Sequence, residues 1–287
     1  MPPLILGIGV AGLGACVGSF LNVCVYRLPR RRSIVRPRSF CPSCRTPIAW
    51  YDNVPVLSYL VLRGRCRRCG AAISIRYPLL EATTSGLFVL LFLARGASAA
   101  FVVQASFGAA LLALILIDAR HQILPNAITL PGIAAGLLTS PLRGMVGGAA
   151  GGGVGGAVQA AALGSLRDAC FGALLGFAIP WGVNAAYRLW QALRGIPHAR
   201  REDGIGRGDF KLLAMIGAFL GVRLLLFCLF VGAVSGAVFG LLMIRYAGYG
   251  WKSKLPYGVF LGSAAILAIF VGDPLVGWYM RLAGIGP

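Results

Sequence analysis

Two sets of side chains carry most of the chemistry available to this sequence: a very small set of acids and a pair of cysteine pairs. The acids are Asp52, Glu81, Asp118, Asp168, Glu202, Asp203, Asp209 and Asp273, eight against 27 Lys and Arg. Asp118 ends one apolar run, in Leu116-Ile117-Asp118-Ala119-Arg120-His121. Asp209 begins another, in Gly206-Arg207-Gly208-Asp209-Phe210-Lys211. Two carboxylates brought together can hydrolyse an amide. One, ionised, takes a proton from water; the other, protonated, polarises the scissile carbonyl, and neighbouring like charges let the pair share one proton. The glycines at 206 and 208 remove side chains beside Asp209, so a peptide backbone could approach. The simpler reading makes each Asp an isolated helix-end charge, with Asp209 an N-cap. Both readings stand at this point.

The cysteines are Cys41-Pro-Ser-Cys44 and Cys66-Arg-Arg-Cys69, with 21 residues between the pairs. A two-residue spacer lets both sulfurs of a pair reach one ion, and four thiolates close a tetrahedral site suited to structural Zn2+. Free thiols or a redox pair are the alternative. A reducing cytoplasm argues against stable disulfides, and two matched pairs argue against one redox motif. Cys16, Cys24, Cys170 and Cys228 lie in or at apolar runs and read as small apolar residues.

The elements that must position these groups follow from composition. Of 287 residues, 58% are hydrophobic and 12% charged, with a formal net charge of +19. That charged share is about half the soluble norm. Such a chain is either a nucleic-acid binder or a multi-span membrane protein with basic loops on one side. Gaps between charges predict eight spans: Leu4–Val25, Tyr77–Ala94, Ala99–Ile117, Ile123–Leu142, Cys170–Tyr187, Phe210–Val222, Leu224–Ile244 and Leu255–Val271. About 20 residues cross the hydrocarbon core, so the sixth is short. The first Arg is Arg27, after the first apolar run. A secretory signal would carry basic residues before it, so Leu4–Val25 reads as a retained span entering from outside. Parity then puts 27–78, 118–122, 188–211 and 245–256 inside. Those segments hold 12, 1, 6 and 3 basic residues, 22 of the 27. The basic excess is an orientation signal, and no nucleic-acid partner is expected. Gly144–Leu166 is uncharged but mostly Gly and Ala. A ninth span there would put 188–211 outside, so the stretch is expected to be an outside or re-entrant loop.

This topology places Asp118 and Asp209 at the cytoplasmic ends of their helices, 91 residues apart in sequence but at one depth. The long polar segment 27–78, with little core of its own, would depend on metal to fold. Glu81 would lie about a turn inside the second span, paired with Arg76 or facing a polar cavity. Glu202 and Asp203 read as solvated, with an accessory site role possible; Asp52, Asp168 and Asp273 read as turn or loop residues, and His121 as structural. Gly7-Ile8-Gly9-Val10-Ala11-Gly12 fits a dinucleotide-loop pattern but sits in an apolar span with no preceding strand. Gly204-Ile205-Gly206-Arg207-Gly208 is dismissed likewise.

Several motifs in one order resemble the bacterial prepilin peptidases, or type IV leader peptidases. They are Gly18-Ser-Phe-Leu-Asn-Val23 with Tyr26-Arg-Leu-Pro29, the two cysteine pairs, Trp50-Tyr-Asp-Asn-Val-Pro-Val-Leu-Ser-Tyr-Leu60 between them, Arg76-Tyr-Pro-Leu-Leu-Glu81, Asp118 with Leu124-Pro-Asn126, and Gly206-x-Gly208-Asp209-x-Lys211. The last is similar to the G-x-G-D motif of intramembrane aspartic proteases. The resemblance implies an all-α polytopic membrane protein of about eight helices with a small zinc-bound cytoplasmic insertion. It divides the chain into a first span (1–26), a zinc domain (27–78) and a membrane catalytic domain (79–287). It implies Asp118 and Asp209 as the catalytic pair, and Gly206, Gly208, Lys211, Asp203 and Glu81 as substrate-binding or loop support. Cys41, Cys44, Cys66 and Cys69 become the zinc ligands. The implied substrates are type IV prepilins or pseudopilins of pilus or type II secretion systems, cut after a glycine at the cytoplasmic face of the inner membrane. A second activity, N-methylation from S-adenosylmethionine, comes with the resemblance; no spacing in the sequence indicates it. Asp203 stands where the family often has Glu, and Arg207 occupies a variable position. The rival readings are an ion-coupled transporter, whose expected internal repeat is not evident, and a non-enzymatic assembly subunit.

Overall fold

The computed structural model describes residues 3–150, 156–197, 203–248 and 255–284. They form α1 (Pro3–Arg27), a short α2 (Leu57–Val61), α3 (Arg76–Arg95), α4 (Ala99–His121), α5 (Asn126–Ala150), α6 (Gly156–Leu193), α7 (Arg207–Ala247) and α8 (Tyr257–Leu282). Strand-like pairing among the described residues is limited to two isolated bridges, Phe40 with Pro47 and Arg65 with Ala72. The chain divides into two compact units, Met1–Ala113 and Leu114–Pro287. The expected segments 1–26 and 27–78 both fall in the first; the boundary cuts the third within α4.

Six described helices are long and apolar enough to cross a membrane, so the expected count of eight is not confirmed. Two physical causes separate the numbers. The expected sixth and seventh spans are limbs of one element, α7, whose 41 residues would run about 60 Å if straight, twice the hydrocarbon thickness. Its break is Gly221, at φ 82° and ψ 177°, a conformation that only glycine adopts without strain. The expected fourth span lies in α5, where Pro131, Pro141, glycines and Arg143 dilute the apolar content.

Gly144–Leu166 corrects another expectation. Its described residues are helical: 144–150 continue α5 and 156–166 open α6. Interspersed alanines, the best helix formers, offset the cost of the glycines. Residues 151–155 lie outside the described residues.

In the first unit α1 packs on α3 through small residues. A Cβ added at Gly14 would sit 2.8 Å from Ser85 Cα, and one at Gly18 would sit 2.7 Å from Glu81 Cα. That four-residue glycine spacing lets two membrane helices touch backbone to backbone, and Ser85 Oγ donates to Ala11 O at 2.9 Å. Gly7, Gly9 and Gly12 have open space around them inside α1, as expected of a chance pattern in a span.

The second unit gathers the end of α4 with α5–α8. Its core holds Leu114, Ile117, Leu212, Leu213, Met215, Ile216, Leu225 and Leu261, all essentially inaccessible. α5 meets α7 through Gly132 on Met215 and Gly136 on Ala218, and α8 meets α4 through Gly262 on Ile115. Cys24 and Cys228 are buried, Cys16 and Cys170 exposed.

Candidate active site and metal centre

Asp118 lies at the end of α4 and Asp209 in the first turn of α7, and the second unit holds both. They are 5% and 8% exposed, buried acids of the kind a membrane protein keeps for a task. Asp118 Oδ2 accepts the Val259 N–H at 3.2 Å, so it ties α4 to the first turn of α8. The two carboxylates are within electrostatic reach of one another, and so are Tyr257 and Asp209. The cap position of α7 is Gly206, with no side-chain cap. Asp209 is therefore the third residue of the helix and not its N-cap.

The glycines beside Asp209 prove to have different uses. A Cβ at Gly206 would meet Asp209 Oδ2 at 3.1 Å, so its bare face leaves room for the carboxylate itself. A Cβ at Gly208 would meet Leu124 Cβ at 3.0 Å, so that glycine lets the α4–α5 loop pack close. The same Leu124 is the near neighbour of Gly258, whose added Cβ would lie 3.3 Å from Leu124 Cδ1 and 2.8 Å from Asp118 Oδ2. Leu124 thus stands between the helix start that carries Asp209 and the one that holds Asp118. Lys211 Nζ donates to Asn126 Oδ1 at 2.7 Å, a second link from α7 to that loop.

Asp203 is ion-paired. Arg188 donates to it through Nε at 2.7 Å and contacts it through a second guanidinium nitrogen; Arg207 Nε is 3.9 Å away. Asn184 is buried and holds both backbone groups of Ile205: its Oδ1 accepts the N–H and its Nδ2 donates to the C=O, each at 2.8 Å. Beside this loop an open cleft of about 510 Å³ is walled by Phe177, Trp181 and Phe210 and rimmed by Arg188, Arg207 and Lys211. His121 is exposed, and Glu202 lies outside the described residues.

Glu81 and the cysteines belong to the first unit. Glu81 is buried; its Oε2 accepts the Val56 N–H at 2.7 Å, so of the two readings the sequence left open, pairing with Arg76 or facing polar groups, it is a polar backbone group that it meets. Val56 caps α2 at φ 62°, an unfavourable conformation for a β-branched residue. Asp52, expected to be a simple turn residue, takes three guanidinium contacts from Arg67 at 2.7–3.1 Å. The Arg67 guanidinium holds its carboxyl below the usual value of 3.8.

All four cysteine sulfurs lie within 4.8 Å of one another, and Cys41 Sγ is 3.8 Å from Cys69 Sγ. Sulfurs at about 2.3 Å from a tetrahedral zinc stand about 3.8 Å apart, so the donor set fits that ion. Each pair sits on the same backbone turn. Cys41 N–H donates to Thr46 O and Arg45 N–H returns to Cys41 O; Cys66 N–H donates to Ala71 O and Gly70 N–H returns to Cys66 O, all at 2.8–3.0 Å. Arg45 and Gly70, one residue past each pair, both have positive φ. Hydrogen bonding with Thr46 favours the Cys44 thiolate, at about 6, the charge form a metal needs.

Sequence comparison decides the family. Residues 13–95 match the model of the Bacterial Peptidase A24 N-terminal domain, and residues 105–241 match that of the Type IV leader peptidase family. The chain belongs to the type IV leader peptidase family. The prepilin leader peptidase/N-methyltransferase of Aeromonas salmonicida strain A449 is 34% identical over 289 residues, 92% of this chain and 90% of the relative. The protein of that name from Pseudomonas aeruginosa is 33% identical over 297 residues, 95% and 92% of the two chains. The Myxococcus xanthus one is 41% identical over 237 residues, 82% and 62%. No solved structure matches.

Asn184, Tyr257 and Gly258 stand at the site or its loop and were not singled out by the sequence reading. A polar Asn in an apolar run was the signal for the first. Pro256-Tyr257-Gly258 at a span start was the signal for the next two.

Proposed function

We propose that this chain is a membrane aspartic endopeptidase that cuts the leader from type IV prepilins or pseudopilins and then N-methylates the new N-terminal residue. The observation that carries the reading is the pair of buried carboxylates, Asp118 and Asp209, on two helix ends in one unit. Water attacks the scissile carbonyl as the ionised carboxylate takes its proton; the protonated one donates to the carbonyl oxygen. Collapse of the tetrahedral species breaks the C–N bond, and a proton passes to the leaving amine. The scissile bond follows a glycine and precedes an apolar segment. The cleft at the start of α7, with its aromatic wall of Phe177, Trp181 and Phe210, suits that apolar segment, and Lys211, Gly206 and Gly208 keep the loop in place.

The methyl donor is S-adenosylmethionine, which supplies an electrophilic methyl carbon when bound; no residue of this chain is assigned to it. Cys41, Cys44, Cys66 and Cys69 hold Zn2+, which closes the 27–78 insertion and does no chemistry. Glu81 supports that segment through Val56. The N-terminus lies outside; the zinc domain and the aspartates face the cytoplasm of a bacterial inner membrane. Residues 1–26, 27–78 and 79–287 act as span, zinc domain and catalytic domain.

Co-expression with a prepilin tests this. Conversion to the shorter form by the wild-type chain, and none by Asp118→Asn or Asp209→Asn, is expected. Undiminished processing by either variant would refute the catalytic pair.

A further inference from the structure

Helix α6 runs antiparallel to the first limb of α7, and their contacts keep one register over about four turns. Asp168 meets Gly221 and accepts the Val222 N–H at 3.0 Å. Gly172 meets Gly217, and Gly176 meets Leu213, backbone on backbone in both cases. The Phe177 and Phe210 rings stack edge to face at 5.7 Å. Asn184 grips Ile205. Steps of four along α6 answer steps of four back along α7. Extended between the anchors, the register puts Pro180 level with Asp209.

The middle of this seam supplies closeness but little register. Glycine faces are smooth, and they offer little to stop one helix sliding on the other. What stops sliding is polar, and it sits at the ends. Asn184 satisfies two backbone groups of the loop at one end. Asp168 accepts the N–H of Val222, next to the Gly221 break, at the other. The Asn184 bonds are part-buried and not readily exchanged for water; the Asp168 bond lies at an exposed position. Asp209 lies four residues past the first clasp at Ile205 and thirteen before the second at Val222, so the two clasps bracket it.

We propose that α6 sets the depth and rotation of Asp209, with Asn184 and Asp168 as positioning residues for peptide cleavage. This rests on the assignment of Asp209 to the chemistry. A slip of one residue along α7 would turn Asp209 by about 100° and shift it about 1.5 Å, and a misplacement of about 1 Å costs roughly 100-fold in rate.

The test measures kcat and KM for cleavage of a detergent-solubilised prepilin, with melting temperature and zinc content beside them. Asn184→Ala and Asp168→Ala are expected to lower kcat about 30- to 100-fold, with KM within about twofold and zinc content unchanged. Asp168→Asn keeps an acceptor for the Val222 N–H and is expected to restore most of kcat. Asn184→Asp keeps size and acceptor but loses the donor, and its kcat should fall between Asn184→Ala and wild type; it serves in its place should Asn184→Ala fail to accumulate. Wild-type kcat in the folded alanine variants would overturn the proposal. So would a fall confined to melting temperature, or an Asp168→Asn no better than Asp168→Ala. A wild-type chain that leaves prepilin uncut would instead refute the peptidase reading itself.

Discussion

Replacing Gly258 by alanine tests the geometry of the aspartate pair without touching either acid. The new Cβ would lie 2.8 Å from Asp118 Oδ2, 3.1 Å from its Cγ and 3.3 Å from Leu124 Cδ1. Ordinary contact requires about half an ångström more. The carboxylate is the part that can give, because it is the far end of a side chain while Gly258 is in the first turn of α8. To move, it must loosen the Val259 N–H bond, now 3.2 Å. A hydrogen bond to a charged group is worth about 1.5–3 kcal/mol, and about 1.4 kcal/mol is tenfold in rate. Cleavage by Gly258→Ala is therefore expected to fall about 10- to 100-fold, in kcat rather than KM, with accumulation and zinc content unchanged. The assay is the initial rate of prepilin shortening in membranes holding matched amounts of enzyme. Gly164→Ala is the control: that glycine is on α6 with open space around it, and its rate should match wild type. A Gly258→Ala enzyme that cuts at the wild-type rate would show that Asp118 is not held against α8 during catalysis.

Asp118→Asn and Asp209→Asn should each abolish leader removal while the protein still inserts, and should leave N-methylation of a pre-cut pilin intact; loss of methylation on that substrate would argue for one shared site. Mass spectrometry of protein purified without chelator should find one zinc per chain, and Cys41→Ser or Cys66→Ser should reduce it and expose the 27–78 segment to protease. Structural zinc contributes on the order of 10 kcal/mol to small domains, so full protease resistance after metal removal would sink the structural role. The Asp52–Arg67 pair gives a pH signature whose sign is fixed. Asp52 is held below its usual 3.8 in the folded state, so the pair stabilises above that value and its contribution disappears as pH falls through the folded-state pKa. The thermal midpoint of Arg67→Gln should trail wild type by a small, salt-sensitive amount from about pH 5 upward. The two should converge in acid, and a gap that widens there would contradict the pairing.

Residue type made some parts of this molecule legible and backbone conformation concealed others. Four cysteines in two spaced pairs announce a chelate because the chemistry is in the side chains, and the sulfurs do converge. Scarce acids beside long apolar runs likewise single out Asp118 and Asp209. The break in α7 was partly visible, since Arg223 interrupts the apolar run next to it. The conformation of Gly221 was not visible, because among 41 glycines only the fold decides which one takes φ 82°. Gly258 was hidden for a related reason: its use lies in the side chain it lacks, pressed against Asp118. The Gly-rich 144–166 stretch misled in the other direction. Weak intrinsic helicity does not prevent a helix where flanking turns and neighbours carry it, as Gly144 packed on the Ala161 and Ala162 backbone illustrates. Glu81 could be read as facing either Arg76 or a polar cavity; which donor burial would bring into reach was not legible, and the Val56 N–H supplies it.

Three of the acids, Glu81 and Asp118 buried and Asp168 exposed, turn out to do one job. Glu81 accepts the N–H of Val56, the residue that caps α2. Asp168 accepts that of Val222, which opens the second limb of α7, and Asp118 that of Val259, in the first turn of α8. Each accepts an N–H at or near a helix start from a different element; Val259 shares its N–H with Pro256 O at 3.2 Å. Such a carboxylate also sits favourably at the positive end of the helix dipole. Capping therefore explains why an acid is tolerated at these positions, and it would explain Asp118 completely if Asp118 stood alone. It does not stand alone. Asp209, on the first turn of its own helix, brings a second carboxylate within electrostatic reach of Asp118, and repulsion between like charges is a cost that capping does not require. An arrangement that caps α8 with Asp118 and then places another acid against it is what sharing a proton demands, and helix capping alone gives no reason for it.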